Sequence, residues 1–418
     1  MQKTESKTFF SSVKSINLKT LIIGLAALFF TFLMFFAPLA YAHDGFQRWI
    51  KEFKKVALAN NILSSTFDMA FKGINAIDPE VLEKAAYQPE FVDPSWNYFD
   101  NRIHEIAIME GQSQTQKWQK WLSQIEKRFG VDRNILLAIW SMESNYGKVL
   151  ANKGVMRDTI RSLATLAFAD QKRAKYAHAQ LIAAMTILQS GEITRAQLTG
   201  SWAGAMGHTQ FIPSSYLAYA IDIDGDGRRD IWTSVPDALA TAANLLYMNG
   251  WQSKLPWGVE VKLPQGKNFP EDWHSFEQWT KLGIKQANGK PLPSLSEQAI
   301  LKYPDGPEGP IFLVTKNFFV LKRYNNADRY AFAVALLANR IAGHSGLVQD
   351  WQRPFPPLTF HERKELQSRL AALGYYKGEM DGIIGTASRK ALKAFQLRYG
   401  LTANGYPTPE VLSLLRKQ

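Results

Sequence analysis

None of the 418 residues is a cysteine, although the chain opens with a segment built for export. An exported protein without disulfides must be held together by its own apolar core. It also has no thiolate metal site and no cysteine nucleophile. The export segment has three parts in the usual order. Lys3, Lys7, Lys14 and Lys19, with the single acid Glu5, precede an apolar run from Leu21 to Phe36, and Ala40-Tyr41-Ala42 closes the segment as a small-residue peptidase site. Residues 1–42 therefore read as a signal peptide cleaved after Ala42. The competing reading is an uncleaved anchor, because residues 21–42 are almost long enough to span a bilayer. A lipid anchor has no cysteine to attach to.

The rest of the chain is long enough for two or three domains. Hydrophobic residues make up 46% of the sequence and charged residues 21%, which places it among globular proteins and leaves no long disordered tract. The formal charge is +12, and the first 42 residues hold four lysines against one glutamate, so +9 belongs to the remainder. That surplus suits a polyanionic partner such as a cell wall. Export argues against nucleic acid.

From His43 to about Gly250 apolar residues recur at three and four spacing, the period of helices. One helix runs from Trp118 to Phe129 and stops at Gly130. Another starts after Asp132, a good N-cap, with Val131 before it as a hydrophobic staple. From Lys254 to about Val320 prolines break the pattern, and Val259–Leu263 and Ile311–Val314 read as strands. This is a small β-containing insert, placed at about 252–320. Helix resumes from Ala327 to Ile341. Trp351-Gln-Arg-Pro-Phe-Pro-Pro357 forms a stiff, extended linker, bounded at 349–357. Residues 358–418 form a compact unit with a quasi-repeat. Asp381-Gly-Ile-Ile-Gly-Thr386 and Asn404-Gly-Tyr-Pro-Thr408 each join a turn to a threonine able to cap a helix, which gives a three-helix module.

One residue breaks the helical pattern. In the helix after Asp132 the apolar face runs through Leu136, Ile139 and Trp140, and Glu143 falls on that same face. It also lies in the last turn, near the negative end of the helix dipole. Burial and dipole both favour the protonated acid, which is the form that protonates a leaving oxygen. The bland alternative is a glutamate that tips into solvent or pairs with a buried arginine.

The string Glu143-Ser-Asn-Tyr-Gly147 resembles the signature of lytic transglycosylases. The block Ser201-Trp-Ala-Gly-Ala-Met-Gly-His-Thr-Gln-Phe-Ile-Pro-Ser-Ser-Tyr216 resembles the most distinctive motif of the lytic murein transglycosylase B family. Further matches follow in order: Gln88-Pro-Glu-Phe91 with Trp96 and Tyr98, Asp222 to Trp232, and Asn317-Phe with Arg323-Tyr-Asn325 and Tyr330. Leu366-Gln, Leu373-Gly-Tyr, Asp381-Gly, Gly385 and Phe395-Gln396 resemble the peptidoglycan-binding domain often attached to such enzymes.

The resemblance implies a mainly α protein: a lysozyme-like α+β catalytic domain over 43–348 with the small β-containing insert, plus a C-terminal three-helix module. It implies cleavage of the β-1,4 bond between N-acetylmuramic acid and N-acetylglucosamine, with Glu143 as acid and then base and a 1,6-anhydro ring as product. Tyr98, Gln210, Phe211, Tyr324 and Tyr330 would line the glycan cleft, with Ser201 and Met206 nearby. Arg173 would either meet a stem-peptide carboxylate or lie on a solvated helix face. Where the family often has an aromatic after Ala243-Asn, this chain has Leu245, with Tyr247 as the possible replacement. The implied partners are glycan strands and stem peptides, and possible further ones are cell-wall synthesis complexes. The implied site of action is the periplasm of a Gram-negative bacterium, as a monomer, and catalysis needs no cofactor.

Asp222-Ile-Asp-Gly-Asp-Gly-Arg-Arg-Asp230 places oxygen ligands as the first three-quarters of an EF-hand loop does, with Asp222, Asp224, Asp226, the Arg228 carbonyl and Asp230 in line. Thr233 stands where the last carboxylate belongs, and Asp237 is the candidate to replace it. A structural Ca²⁺ is one reading. The other is an acidic turn packed against Arg229. Two functional alternatives also stand beside the transglycosylase: a hydrolytic muramidase and a non-catalytic wall-binding protein.

Overall fold

The computed structural model describes residues 44–86 and 94–418. The export segment and the Gln88–Phe91 string lie outside the described residues. Helix α1 spans 44–59. It is followed by α2 (Ser64–Phe71), α3 (Pro79–Ala86), α4 (Ser95–Asp100), α5 (Glu105–Lys117), α6 (Gln119–Phe129) and α7 (Arg133–Ser144). A short antiparallel pair, β1 (Arg157–Asp158) and β2 (Thr199–Gly200), brackets α8 (Thr159–Ala169) and α9 (Ala174–Ser190). Then come α10 (Pro213–Tyr219) and α11 (Val235–Met248). Among the described residues no helix is long and apolar enough to cross a membrane.

Helix α7 is the hub. Asp132 caps it, accepting from Asn134 N at 2.7 Å, and Gly130 ends α6 in the left-handed conformation. Residues Ile135 through Trp140 are all buried, because α5, α6, α11 and α14 (Asp328–Ile341) pack around the helix. A periodicity reading sees only one apolar face here. The helix is in fact wrapped on every side, as a central helix must be, and Glu143 is half-buried where it emerges.

The insert is a five-stranded sheet in the order β4-β6-β7-β3-β5. Its strands are β3 (Gly258–Lys262), β4 (His274–Ser275), β5 (Lys285–Gln286), β6 (Gln298–Lys302) and β7 (Ile311–Val314), with α12 (Phe276–Lys281) between β4 and β5. The two strands expected from sequence pair with each other, Val259 opposite Leu313. Phe276, Trp279, Ile284 and Leu313 give the insert its own small core. Its two ends are tied by Asn317 on α13 (Lys316–Leu321). The fully buried amide of Asn317 donates to the carbonyls of Gln252 at 2.8 Å and Leu255 at 2.7 Å, and it accepts from Gln252 N at 2.8 Å.

The C-terminal unit is a three-helix module: α15 (Phe360–Ala372), α16 (Thr386–Arg398) and α17 (Pro409–Arg416) around Leu366, Leu370, Leu392, Phe395 and Leu412. The quasi-repeat has a physical basis in two glutamines. Gln367 donates to Asp381 at 2.9 Å and accepts from Gly382 N at 2.6 Å. Gln396 does the same to Asn404 at 2.9 Å and Gly405 N at 2.7 Å. Each buried amide clamps one turn. The threonines differ from expectation: Thr408 caps α17, but Thr386 is the first residue inside α16, and its N-cap is Gly385.

The proline-rich linker is extended but is not a free spacer. Trp351 stacks on Phe99 at 4.1 Å, Phe355 meets Trp96 at 5.2 Å, and Arg353 pairs with Asp100 at 2.7 Å. The apolar side of α4 thus holds the linker down. Tyr406 of the module also meets Trp96, at 4.9 Å, and Arg363 pairs with Glu105 at 3.0 Å. Such contacts contribute roughly 0.5–1.5 kcal/mol per aromatic pair and up to about 1 kcal/mol for a part-exposed ion pair, so together they seat the module against α4 and α5.

Replacing Asn317 by alanine leaves the buried Leu255 carbonyl and the half-buried Gln252 N–H without a partner, at about 1–3 kcal/mol each where water cannot reach them, while the Gln252 carbonyl keeps Leu255 N at 3.3 Å. Asn317→Ala is expected to lower stability by roughly 3 kcal/mol, measured as a drop in the urea midpoint. A change below about 0.5 kcal/mol, the level of an ordinary surface substitution, would refute the staple.

Candidate active site

Glu143 is the half-buried carboxylate at the end of α7, and its neighbours come from distant parts of the chain. Tyr330, on α14, donates its hydroxyl to Glu143 Oε1 at 2.5 Å. The Tyr330 ring stacks on Tyr324, with centroids 6.2 Å apart and planes 9° from parallel. Tyr324 donates to the Thr209 carbonyl at 2.5 Å and meets Phe211 edge-on at 5.5 Å. Burial, with the charge of Glu143 added, pushes both phenols well above their ordinary range. They therefore stay neutral donors, and Tyr330 holds the carboxylate in one orientation.

The end of α7 explains the rest of the Glu143–Gly147 string. Asn145, Tyr146 and Gly147 have φ of 49°, 56° and 85°, three left-handed residues in a row. Non-glycine residues take that conformation at a cost, so it needs support. Tyr146 supplies some by donating to the Ala107 carbonyl at 2.7 Å. Ser144 donates to the His208 carbonyl at 2.5 Å and accepts from Gly147 N at 3.0 Å. A Cβ on Gly147 would lie 2.5 Å from the His208 ring, so only glycine fits.

The loop after β2 packs against this end of α7 through His208. Met206 and Phe211 exchange backbone hydrogen bonds, both 2.9 Å. Gly207 lets the chain pass so close to Ile231 that a Cβ would lie 2.3 Å from its carbonyl oxygen. Gln210 sits at the tip with φ of 50°, its side chain donating to the Gly207 carbonyl at 2.8 Å. Ser201 accepts from Ala205 N at 3.1 Å and fixes the start of the loop. Met206 is fully buried and Phe211, Tyr98 and Tyr330 nearly so, so these four offer little surface to solvent. Gln210, Ser201, Tyr324 and Glu143 are the half-buried members. The Arg102 guanidinium covers the Tyr98 ring at 3.7 Å.

Arg173 pairs with Asp170 at 2.6 Å, donates to the Ala85 carbonyl at 3.1 Å and lies over Trp202 at 5.6 Å. It is a braced, half-buried cation beside Ser201. Leu245 is buried, and Tyr247 is exposed, its ring meeting Phe129 edge-on at 6.0 Å. Three further acids of this part of the chain are engaged in ion pairs of their own. Asp158 caps α8 and pairs with Arg195 at 2.5 Å, Asp170 holds Arg173, and Glu192 holds Arg229. The Arg229 hydrogen bond draws Glu192 down to about 2. His208 is the residue that sequence reading passed over. It reaches α7 through Trp140, whose indole N–H donates to His208 Nδ1 at 3.1 Å, and a contact across 68 residues leaves no local signal.

The acidic loop brings together Asp222, Asp224, Asp226 and Asp237, with one oxygen of each within 4.8 Å of the others. Asp230 is not among them. Its carboxylate turns back to accept from Trp232 N at 2.9 Å and Thr233 N at 2.8 Å, closing the turn before α11. The Arg228 side chain pairs with Asp226 at 3.2 Å. Arg229 is held by Glu192 and Tyr216, so it does not neutralise the cluster. Asp237 is fully buried. Burial first, and then the charges of Asp224 and Asp222, push its carboxyl up to about 6.

A transglycosylase SLT domain profile matches residues 45–339, and a peptidoglycan binding domain profile matches residues 361–415. The membrane-bound lytic murein transglycosylase B of Escherichia coli is 29% identical over 270 residues, 61% of this chain and 66% of that protein. The chain thus spans about two thirds of that relative's length. SltB3 from Pseudomonas aeruginosa, solved with NAG-anhNAM-pentapeptide, is 44% identical with a TM-score of 0.70 over 89% of this chain and 99% of that one. Slt35 from Escherichia coli, solved with calcium, is 27% identical with a TM-score of 0.54 over 64% of this chain and 84% of that one. The mainly α fold with its small sheet is the lysozyme-like architecture of these proteins. The chain is an enzyme of the lytic murein transglycosylase family with a C-terminal peptidoglycan-binding domain.

Proposed function

We propose that this enzyme cuts the β-1,4 bond between N-acetylmuramic acid and N-acetylglucosamine without water, and that Glu143 does both halves of the chemistry. The carrying observation is a half-buried carboxyl set in one orientation by a neutral Tyr330 donor at 2.5 Å. Protonated Glu143 gives its proton to the glycosidic oxygen. The C1–O bond breaks, and its electron pair leaves with N-acetylglucosamine. Glu143, now a carboxylate, takes the proton of the muramic acid 6-hydroxyl as that oxygen bonds to C1. The 1,6-anhydro ring closes and the acid is regenerated. Hydrolytic glycosidases normally use two carboxyls, and the internal hydroxyl removes the need for a second one.

Gln210, Ser201 and Tyr324 offer polar atoms to the N-acetyl and hydroxyl groups of the strand, over a floor of Met206, Phe211, Tyr98 and Tyr330. Arg173, beside Trp202, offers a cation to a stem-peptide carboxylate. The C-terminal module holds the enzyme to the wall. The enzyme acts as a monomer in the periplasm, where that wall lies.

Asp222, Asp224, Asp226 and Asp237 suit a Ca²⁺ ion with a structural role. A hard cation takes six to eight oxygens from a flexible loop, and the mutual repulsion of these carboxylates is what such an ion relieves. The Arg228 carbonyl completes the side of the loop from which Asp230 has turned away.

Mass spectrometry of digested peptidoglycan should give products ending in 1,6-anhydro-muramic acid, and Glu143→Gln should lower their rate by about 10²–10⁴-fold while still sedimenting with the wall. Activity within tenfold of wild type would remove Glu143 from its role. For the calcium site, a folded carboxyl raised to about 6 contributes stability at low pH that is lost as pH rises through that value. The metal-free protein should therefore gain stability from pH 7 to pH 5 relative to Asp237→Asn, the difference that cancels histidine titration. Ca²⁺ at pH 7 should raise the melting temperature of wild type and not of Asp222→Asn. A wild-type melting temperature indifferent to Ca²⁺ would refute the site.

A further inference from the structure

Two surfaces must keep a fixed relation during the reaction: the end of α7, which carries Glu143, and the Ser201–Ile212 loop, which carries the sugar-facing groups. They belong to different parts of the chain, and the structure joins them at one residue. The His208 N–H donates to the Ile231 carbonyl at 2.9 Å, which fixes the loop to the segment before α11. The His208 carbonyl accepts from Ser144, the residue next to Glu143, at 2.5 Å. The His208 ring lies over Gly147 and accepts at Nδ1 from the Trp140 indole N–H at 3.1 Å. One residue later, the Thr209 carbonyl accepts from Tyr324 at 2.5 Å, and Tyr324 stacks on the Tyr330 that holds Glu143. The chain of contacts closes on itself, from Glu143 through Tyr330, Tyr324, Thr209 and His208 to Ser144 and back.

We infer that His208 is a positioning residue for the transglycosylase reaction, acting through the Trp140–His208 hydrogen bond to hold the substrate wall in register with Glu143. The inference rests on the reading of Glu143 as the acid. An indole N–H only donates, so Nδ1 must be the bare nitrogen and the ring must be neutral with its proton on Nε2. Burial supports this by holding the ring neutral down to about 4. A protonated ring would set two N–H groups against each other and open the junction. A carbonyl-to-serine contact can be kept by any residue at 208. The ring contact needs an acceptor at that point, so the side chain carries a role the backbone cannot.

His208→Phe keeps a ring without the acceptor, His208→Gln returns an acceptor without the ring, and Trp140→Phe removes the donor. The assay is the steady-state release of soluble anhydro-muropeptide, corrected for folded fraction by circular dichroism, with Glu143→Gln alongside. The expected result is a tenfold to hundredfold loss of kcat in His208→Phe with KM within about threefold, since small misplacements cost this much. His208→Gln should recover at least half of that loss on a logarithmic scale. Trp140→Phe should match His208→Phe, and the double variant should be no worse than either alone, because both remove one interaction. If His208→Phe does not fold, Trp140→Phe and His208→Gln carry the same test. Wild-type kcat per folded molecule in both Trp140→Phe and the folded His208 variants would overturn the proposal, as would fully additive losses. An active Glu143→Gln would instead overturn the acid assignment, so the two failures are told apart.

Discussion

A hydroxyl 2.5 Å from a carboxylate joins the two helices on which the enzyme is organised. Tyr330 comes from α14 and Glu143 from the end of α7, and the site exists only while those helices are packed together. That packing explains why α7 is buried on every side. A helix that must present one acid at a fixed point cannot be left to rock on a single apolar stripe. The cost of the arrangement is local. Three consecutive left-handed residues follow Glu143, and they persist because Tyr146, Ser144 and Gly147 are each held by neighbours outside the helix.

The remaining parts of the molecule carry this geometry outward. The Asn317 staple lets a sheet with its own core be inserted without loosening the chain on either side of it, because its two ends meet at one buried amide. On helix α4, Tyr98 is buried with the Arg102 guanidinium over its ring, and Trp96 and Phe99 receive the linker and the C-terminal module. The peptidoglycan-binding unit is therefore seated against α4 and α5 and not held at the end of a loose tether. The acidic loop lies just before α11, and the Ile231 carbonyl that anchors His208 belongs to the same short stretch.

The parts of this structure that could be read in the sequence are those governed by short-range chemistry. Gly130 ends a helix, Asp132 begins one, Val259–Leu263 alternates apolar and charged residues as a strand does, and Ile311–Val314 is a short apolar run of the kind that forms a buried strand. Each depends on a few adjacent residues. Glu143 stood out because a carboxylate at an apolar position is anomalous wherever the partner comes from. The misreadings share a cause as well. The linker reads as stiff and extended from its prolines, but nothing in seven residues reveals that Trp351 and Phe355 meet an aromatic helix some 250 residues earlier. Asp230 looked like a ligand because loop spacing cannot show that Thr233 and Trp232 offer it nearer donors. Thr386 and Thr408 occupy equivalent places in the repeat, yet only one caps a helix, since a single glycine shifts where the other begins. His208 lies inside the Ser201–Tyr216 motif, but nothing local singles it out there, because its side-chain and carbonyl contacts are with Trp140 and Ser144, more than sixty residues away.

The central claim is that one carboxyl and an internal hydroxyl replace water in the cleavage. Digestion of peptidoglycan in water enriched in ¹⁸O tests this directly. The account predicts that the muropeptides formed at the earliest times have the anhydro mass, about 20 mass units below hydrolytic products carrying ¹⁸O and about 18 below unlabelled ones, and carry no ¹⁸O at C1. Early products with a reducing end and one ¹⁸O atom would mean that water attacks, and would contradict the single-carboxyl mechanism.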